Sequence, residues 1–345
     1  MAQKHSLKQT FQLIIDILSF EISTEQLADY FTKNQIDWDL IVIVASEHLI
    51  LPAVYCRLQQ RSLLGFLPED LTIYLKEITN LNRERNKTLL FEAKQVSHLF
   101  KSHQIEHVFV KGIALLAADY YQDHGERMIG DIDILVASKD IDRAFDLLTS
   151  AGYNKFLPFN YEVKNFRHKP RQISEKHLGA IELHHHLIRY EFRKLVDAQD
   201  FITDTKVVNQ ITVPKATNIV KNSVFAHQIN DRCYFYNTLK LKILYDILVI
   251  EHQEEKPLLI GLAQQKYASR FIDLASIFVP KFKSNLLTVS QRHKQQLYLW
   301  SLDFPRFGKA SHWLRVKYVA ITERFKLIFF NNSYRRHIFE RRLFK

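Results

Sequence analysis

Cysteine is scarce in this chain of 345 residues, which contains only Cys56 and Cys233. The two residues lie far apart and form no CxxC pair, so the sequence predicts no disulfide framework. Neither residue has flanking charges that would activate a thiol, and we interpret both as structural. This sparing use of cysteine favours a reducing compartment, and we expect a cytosolic protein.

Glycine and proline are also infrequent, with eight residues of each. Their scarcity predicts long helices and argues against a β-sandwich, which needs many tight turns. No run approaches the roughly 18 uncharged apolar residues of a membrane span, so we expect no transmembrane segment. The first apolar stretch carries Asp16 and Glu21 at helical spacing, which indicates an amphipathic helix rather than a signal peptide.

Hydrophobic periodicity divides the chain into three parts. Residues 1–103 predict a helical N-terminal region in which Pro52 breaks a helix and one long helix covers residues 71–103. Residues 104–198 alternate strands with helices, and residues 199–345 return to mainly helical patterns. We therefore predict an α+β fold: a small mixed β-sheet with helices packed on it, between helical N- and C-terminal regions.

Three strands are predicted within the central part. They cover Glu106–Lys111, Asp131–Ala137 and Ala180–Ile188, and a further strand or hairpin is expected near Tyr161–Ile173. Between the first two strands, Gly112 is expected to form a turn into a helix that reaches Gln122. After the second strand, Ser138 is a candidate cap for the next helix.

The second strand contains two carboxylates, Asp131 and Asp133, between apolar residues. Residues two apart in a strand face the same side, so both acids project together while Ile132 and Ile134 face the core. A carboxylate on a buried strand is costly unless it is paired or binds a metal. The spacing therefore predicts a functional site.

The third strand carries Glu182, His184 and His186 on one side. Carboxylates on neighbouring strands can surround a pair of Mg²⁺ or Mn²⁺ ions, which prefer carboxylate oxygens and substrate phosphates. Such a pair can stabilise an in-line displacement at phosphorus. Lys111, Gly112 and Arg127 are candidate phosphate contacts.

The sequence "VFVKGIALL…ERMIGDIDILV…AGY…IELHHHL" resembles the uncharacterised nucleotidyltransferase family of the DNA polymerase β-like superfamily. Flanking helical segments extend the resemblance to roughly residues 35–255. It implies an enzyme that moves a nucleoside monophosphate from an NTP such as ATP to an acceptor hydroxyl or phosphate, using Mg²⁺ and releasing pyrophosphate. The acceptor, a small molecule, a peptide or an RNA, is left undefined.

The resemblance also implies roles for individual residues. Asp131 and Asp133 would bind metal, and Glu182 would be the third carboxylate and a base for the acceptor hydroxyl. Lys111 with Gly112 would hold the triphosphate. The Gly-Ser pair that is usual in the wider superfamily is replaced here by Lys111-Gly112, so no hydroxyl is available to contact a phosphate.

Other interpretations compete for several of these residues. Glu182 could form a salt bridge with Arg167 or Arg171, and Lys111 could extend its ammonium group to solvent from a strand end. His184 is expected to hydrogen-bond the acids or the substrate rather than hold a transition metal. Asp246 could reach either the nucleotide or an N–H group of the core. His48 and His227 are expected to be core histidines with a hydrogen-bond partner rather than site residues.

Positive charge is concentrated near the C-terminus of a chain whose formal net charge is +11. Nine Lys or Arg residues stand against two Glu residues between Trp313 and Lys345. This segment predicts contact with a polyanion such as RNA or an anionic membrane surface, or else a solvated helix face. A non-catalytic RNA-binding module and a toxin-like enzyme acting on tRNA are therefore alternatives to the nucleotidyltransferase.

Overall fold

The N-terminal part of the chain consists of helices. The computed structural model describes residues 6–163, 165–283 and 287–343. Ser6 and Ser23 cap the first two helices, each in a reciprocal pair with a Gln three residues later. Pro52 lies in the first turn of the fourth helix, as expected of a residue that has no N–H to donate. The helices are α1 Leu7–Leu18, α2 Thr24–Lys33, α3 Trp38–Glu47, α4 Leu51–Gln60 and α5 Glu69–Ser102.

A mixed five-stranded sheet forms the centre, in the order β1-β2-β5-β4-β3. Strands β2 and β5 are parallel, and the other neighbouring pairs are antiparallel. The elements are β1 His107–Val110, α6 Lys111–Ala117, β2 Ile132–Val136, α7 Ile141–Ser150, β3 Lys155–Leu157, β4 Arg171–Ile173 and β5 Ile181–His184. The predicted α+β fold with a small mixed sheet is confirmed.

The C-terminal part is mainly helical, as predicted, with one hairpin. Its elements are α8 Ala198–Thr203, β6 Thr205–Val208, β7 Ile211–Pro214, α9 Ala216–Phe225, α10 Cys233–Tyr236, α11 Leu241–Glu254, α12 Lys266–Ala275, α13 Val289–Asp303, α14 Pro305–Phe330 and α15 Asn332–Leu343. One cluster of buried apolar side chains contains residues of the N-terminal helices, the sheet and these helices. The boundaries proposed at residues 103 and 198 stay predictions. Within the described ranges, no helix combines the length and the apolar character needed to cross a bilayer.

Several predicted boundaries were wrong. The helix after β1 ends at Ala117 instead of Gln122. Two residues beyond its end, Asp119 adopts a left-handed conformation with φ 56°. Helix α7 starts after Asp140, so Ser138 is not its cap.

Strand β5 ends at His184, because the N–H groups of His185 and His186 both donate to the Arg167 carbonyl. His186 therefore does not share the strand face of Glu182. The strand or hairpin expected near Tyr161–Ile173 is found in part: β4 at Arg171–Ile173 lies within that range, but its antiparallel partner β3 lies earlier, at Lys155–Leu157.

The turn after β1 is made by Lys111 rather than Gly112. Lys111 has φ 58°, in the left-handed region, whereas Gly112 lies within α6. Gly112 is needed for another reason: a Cβ at this position would lie 2.1 Å from Cγ2 of Ile129. The absence of a side chain thus lets the segment before β2 pack directly on α6.

We predict that Gly112→Ala lowers the free energy of unfolding by about 1–3 kcal/mol, because Ile129 must move to admit the methyl group. Gly130→Ala is the matched control, since a Cβ there meets nothing within 4 Å. Urea unfolding of both variants measures the difference. Equal stability of the two variants would contradict the proposed steric role of Gly112.

Candidate active site

The register of the sheet brings the predicted acids together. Asp133 on β2 pairs with Glu182 on the parallel strand β5, so their side chains lie side by side on one face. His184 lies two residues further on the same face, and Asp131 immediately precedes β2. Two chain segments that are distant in sequence thus build one cluster of acidic side chains.

Asp133 is almost fully buried, and two groups compensate its charge. Its Oδ1 accepts hydrogen bonds from Lys111 Nζ at 2.5 Å and His184 Nε2 at 2.8 Å. Burial acts to raise the pKa of Asp133, but Lys111 and His184 outweigh it and hold the pKa well below its usual range. Asp133 is therefore a permanent negative charge at the end of a core strand.

Arg171 on β4 links the other two acids. Its Nη2 donates to Asp131 Oδ2 and Glu182 Oε1, each at 2.7 Å. Burial acts to raise the pKa of Glu182, but hydrogen bonds from His184 and Arg171 lower it to about 2. The ion pair expected as one alternative for Glu182 therefore forms with Arg171.

Asp131 has the opposite electrostatic environment. Burial raises its pKa to about 6, and the negative charges of Asp133 and Glu182 add to this effect. Burial is the largest cause of this shift, and ionising a third acid beside two charged ones adds to it, whereas Lys111 and Arg171 partly offset both effects. A cation held among these acids would relieve the repulsion.

The donor set fits a divalent metal ion. Ligand atoms of Asp133, Glu182 and His184 all lie within 4.8 Å of one another, and all three residues are buried. Two carboxylates and an imidazole suit Mg²⁺ or Mn²⁺ at the carboxylate oxygens. The predicted contact of His184 with the acids is confirmed, and the assignment of Asp131, Asp133 and Glu182 as the metal ligands stays a prediction.

A cleft of about 230 Å³ opens beside the acids. Its lining includes Asp131 and Asp133, Lys111 and Gly112 from the turn, and residues of α9 and α11. The cleft thus lies between the sheet and the helices of the C-terminal part, and all these groups line one space.

Arg127 and Asp246 line the same cleft and form a buried ion pair. Nε and Nη2 of Arg127 donate to the two carboxylate oxygens of Asp246 at 2.7 and 2.8 Å, and the Tyr121 hydroxyl donates to the same carboxylate. Asn86 on α5 donates to the Arg127 carbonyl at 2.7 Å. These contacts fix the loop before β2 against α11 and α5. Asp246 thus binds a core donor, which was one of its two expected roles, and a phosphate contact by Arg127 stays a prediction.

Two cations in the cleft were not singled out as phosphate contacts from the sequence. Of the described residues, no carboxylate lies within ion-pair distance of Lys242 or Arg167, and Nε of Arg167 is buried without a partner. Burial lowers the pKa of Lys242 to about 8, with Arg127 and Lys240 adding repulsion. The pattern "LKLK" at residues 239–242 contains Lys242. The sequence does not predict the direction of the Lys242 side chain, because that direction depends on how α11 packs.

The expectations for the core residues hold in part. His227, Cys56 and Cys233 are buried, whereas His48 is half-buried and its Nδ1 accepts a hydrogen bond from the Leu241 N–H. The expected hydrogen bond of His227 was wrong, because neither of its ring nitrogens has a hydrogen-bond partner among the described residues, and His227 lines the cleft. Burial raises the pKa of Cys233 to about 11 and that of Cys56 still further. Neither thiol is activated, which agrees with a structural role.

The chain belongs to a family described as "Uncharacterised nucleotidyltransferase", whose model matches residues 34–278, more than half of the sequence. The matched range contains the acidic cluster, the Lys111 turn and the cleft. The family predicted from the sequence is thus confirmed.

A search among solved structures finds an antigenic nucleotidyltransferase-like protein from Paracoccidioides brasiliensis. It is 13% identical, and the similarity covers 60% of this chain and 97% of that chain with a TM-score of 0.39. That score is too low to carry a structural argument. No curated protein matches the sequence significantly.

We predict that Asp246→Ala destabilises the protein by about 3–5 kcal/mol, because it leaves the buried Arg127 charge unpaired. The double variant Arg127→Met/Asp246→Leu removes both charges and should recover most of this loss. Urea unfolding measures both effects.

The control is Glu106→Ala, which breaks the exposed pair with Lys139. It should cost about 0–1 kcal/mol. If Asp246→Ala cost no more than this control, the Arg127–Asp246 pair would not be what fixes the loop.

Proposed function

We propose that the protein is a metal-dependent nucleotidyltransferase that transfers a nucleoside monophosphate from an NTP to an acceptor oxygen. One observation carries the proposal: a single cleft is lined or adjoined by three carboxylates and by two cations that have no carboxylate partner within the described part of the chain. Family membership supports the reaction class. The acidic side suits a metal, and the cationic side suits the phosphates that accompany it.

Asp131, Asp133 and Glu182 are the proposed metal ligands, with His184 orienting Asp133 through its 2.8 Å hydrogen bond. Bound Mg²⁺ or Mn²⁺ would supply positive charge that neutralises phosphate oxygens during transfer. In the arrangement described here, Lys111 and Arg171 compensate the same carboxylates. Arg171 is 38% exposed at its side chain, so it can withdraw from the acids without leaving a buried charge.

The triphosphate is proposed to lie along Lys242, Arg167 and Lys111. Lys242 and Arg167 gain the most from an anion, because neither has a carboxylate partner among the described residues. Their burial has already removed part of their hydration, which strengthens a charge-assisted hydrogen bond to phosphate. The depressed pKa of Lys242, about 8, should rise again when phosphate binds.

In the proposed reaction an acceptor oxygen attacks the α-phosphorus of the NTP. The new P–O bond forms as the bond to the bridging oxygen breaks, and pyrophosphate leaves with that electron pair. The chain contributes by positioning the reactants and neutralising charge. With Arg171 and His184 in place, Glu182 acts as a negative charge; it could accept the acceptor proton only after Arg171 withdraws, since its pKa is about 2.

We predict that Asp133→Asn abolishes transfer of label from an α-labelled NTP to any acceptor that the wild type labels. The substitution keeps the shape of the side chain but removes the charge that the metal requires. An acceptor screen with labelled NTPs, followed by thin-layer chromatography, measures the transfer. Full activity of a folded Asp133→Asn protein would refute the assignment.

Lys242→Gln should instead raise the KM for NTP by about tenfold or more, because a charge-assisted contact contributes about 1.5–3 kcal/mol. Lys76→Gln is the matched control, since Lys76 is exposed on α5. An unchanged KM in Lys242→Gln would remove Lys242 from the triphosphate site.

A further inference from the structure

Helix α14 is unusual because it buries none of its side chains. It spans 26 residues, Pro305–Phe330, and no residue in it is classed as buried. A helix of this length normally covers a core with an apolar face. Many large apolar side chains of α14 are therefore exposed to solvent.

Six large apolar residues of α14 form what we call the apolar stripe. They recur at intervals of seven, four, three, four and three residues, which places them on one face of the helix. Their exposed fractions range from 40% to 60%. The stripe consists of Phe307, Leu314, Tyr318, Ile321, Phe325 and Ile328.

The rest of the protein contacts the other side of α14. Arg315 donates to the carbonyl of Tyr236 at 2.9 Å, and Glu323 lies 3.4 Å from Arg232 and 3.6 Å from Arg189. Helical spacing places Glu323 opposite the apolar stripe. These contacts fix the rotation of α14, so the stripe is turned largely toward solvent. At its edge, the ring of Tyr318 stacks on Phe235 of the protein body.

Basic residues run beside the stripe. Arg306, Lys317 and Arg324 are exposed, and helical spacing places them together along one edge of it. We call these three residues the basic rim. Glu323 is the only acid in α14, and it is held inward by two arginines. The solvent-facing side of α14 is therefore apolar at its centre and positive at its edge.

We propose that α14 docks on an anionic lipid surface, with the apolar stripe inserted at the headgroup–acyl boundary and the basic rim on the lipid phosphates. A helix that lies in the interface needs an apolar face with Lys or Arg beside it, and its binding grows with apolar area and with anionic lipid. Both parts are present here on one solvent-facing side. This inference does not depend on the proposed transfer reaction.

The charges argue against the two other occupants. A second copy packed stripe against stripe in the antiparallel direction would bring two basic rims near each other. In the parallel direction, each rim would lie beside the opposite edge of the other stripe, and in neither arrangement does α14 offer an acid at the contact to compensate the charge. RNA would use the basic rim, but it gains from stacking on exposed aromatic rings. Four of the six stripe residues offer no free ring: Leu314, Ile321 and Ile328 are aliphatic, and the ring of Tyr318 stacks on Phe235.

Vesicle sedimentation of the full chain tests the proposal. The wild type should sediment with phosphatidylglycerol vesicles, not with phosphatidylcholine vesicles, and added salt should weaken the binding.

The stripe variant, Ile321→Asp/Phe325→Asp, should lower the partition coefficient at least about tenfold. The rim variant, Lys317→Gln/Arg324→Gln, should lower the partition coefficient about 25-fold at low salt, at about fivefold per charge. Lys8→Gln/Lys76→Gln, which removes two exposed charges from α1 and α5, is the matched control and should change little.

Thermal unfolding of each variant verifies its fold, and if the stripe variant failed to fold, the rim variant would decide. Equal vesicle binding by the rim variant and its control would overturn the proposal. If the wild type did not bind vesicles, either of two results would also overturn the proposal. The first is a dimer of the wild type in analytical ultracentrifugation that is lost in the stripe variant. The second is RNA binding that is lost in the rim variant and kept in the stripe variant.

Discussion

The negative charge of Asp133 on a core strand is the constraint around which the site is organised. The side chain is 4% exposed, and an ionised carboxylate in that position is costly unless it is compensated. Lys111 reaches it from a left-handed turn at the end of β1, and His184 reaches it from β5. Strand register then places Glu182 alongside, and Arg171 joins Glu182 to Asp131. Lys111 and Arg171 thus compensate the charges of all three carboxylates.

A second charged pair positions the cleft. Arg127 and Asp246 connect the loop before β2 with α11, so the acidic cluster on the sheet and the cations of the C-terminal part face the same space. The direct packing of Ile129 on Gly112 brings this loop close to α6. Charge pairing within the fold thus gives a cleft with acids on one side and with Lys242 and Arg167 near them. That distribution complements a metal-bound polyphosphate better than a neutral substrate.

The sequence predicted the elements that are governed by local pattern. Alternation in "DIDILV" placed Asp131 and Asp133 on one face, and the long uninterrupted pattern predicted α5 to within a few residues. Contacts between distant segments were less accessible. The direction of Lys242 depends on the packing of α11 against α9, and the pairing of Arg127 with Asp246 joins residues 119 positions apart. The left-handed Lys111 was missed because glycine is the residue that normally takes that conformation. The apolar stripe needed the contacts of Arg315 and Glu323, which fix the rotation of α14.

The central claim is that the acidic cluster binds a divalent metal together with a nucleotide. Isothermal titration of the protein with a non-hydrolysable ATP or CTP analogue tests it most directly, in Mg²⁺ and then in EDTA, beside the Asp131→Asn/Asp133→Asn variant. The account predicts binding that requires Mg²⁺ and is lost in the variant. Nucleotide binding that persists in EDTA, or that the folded double variant retains, would contradict it. So would the absence of binding by a folded wild type, because the acids would then be structural.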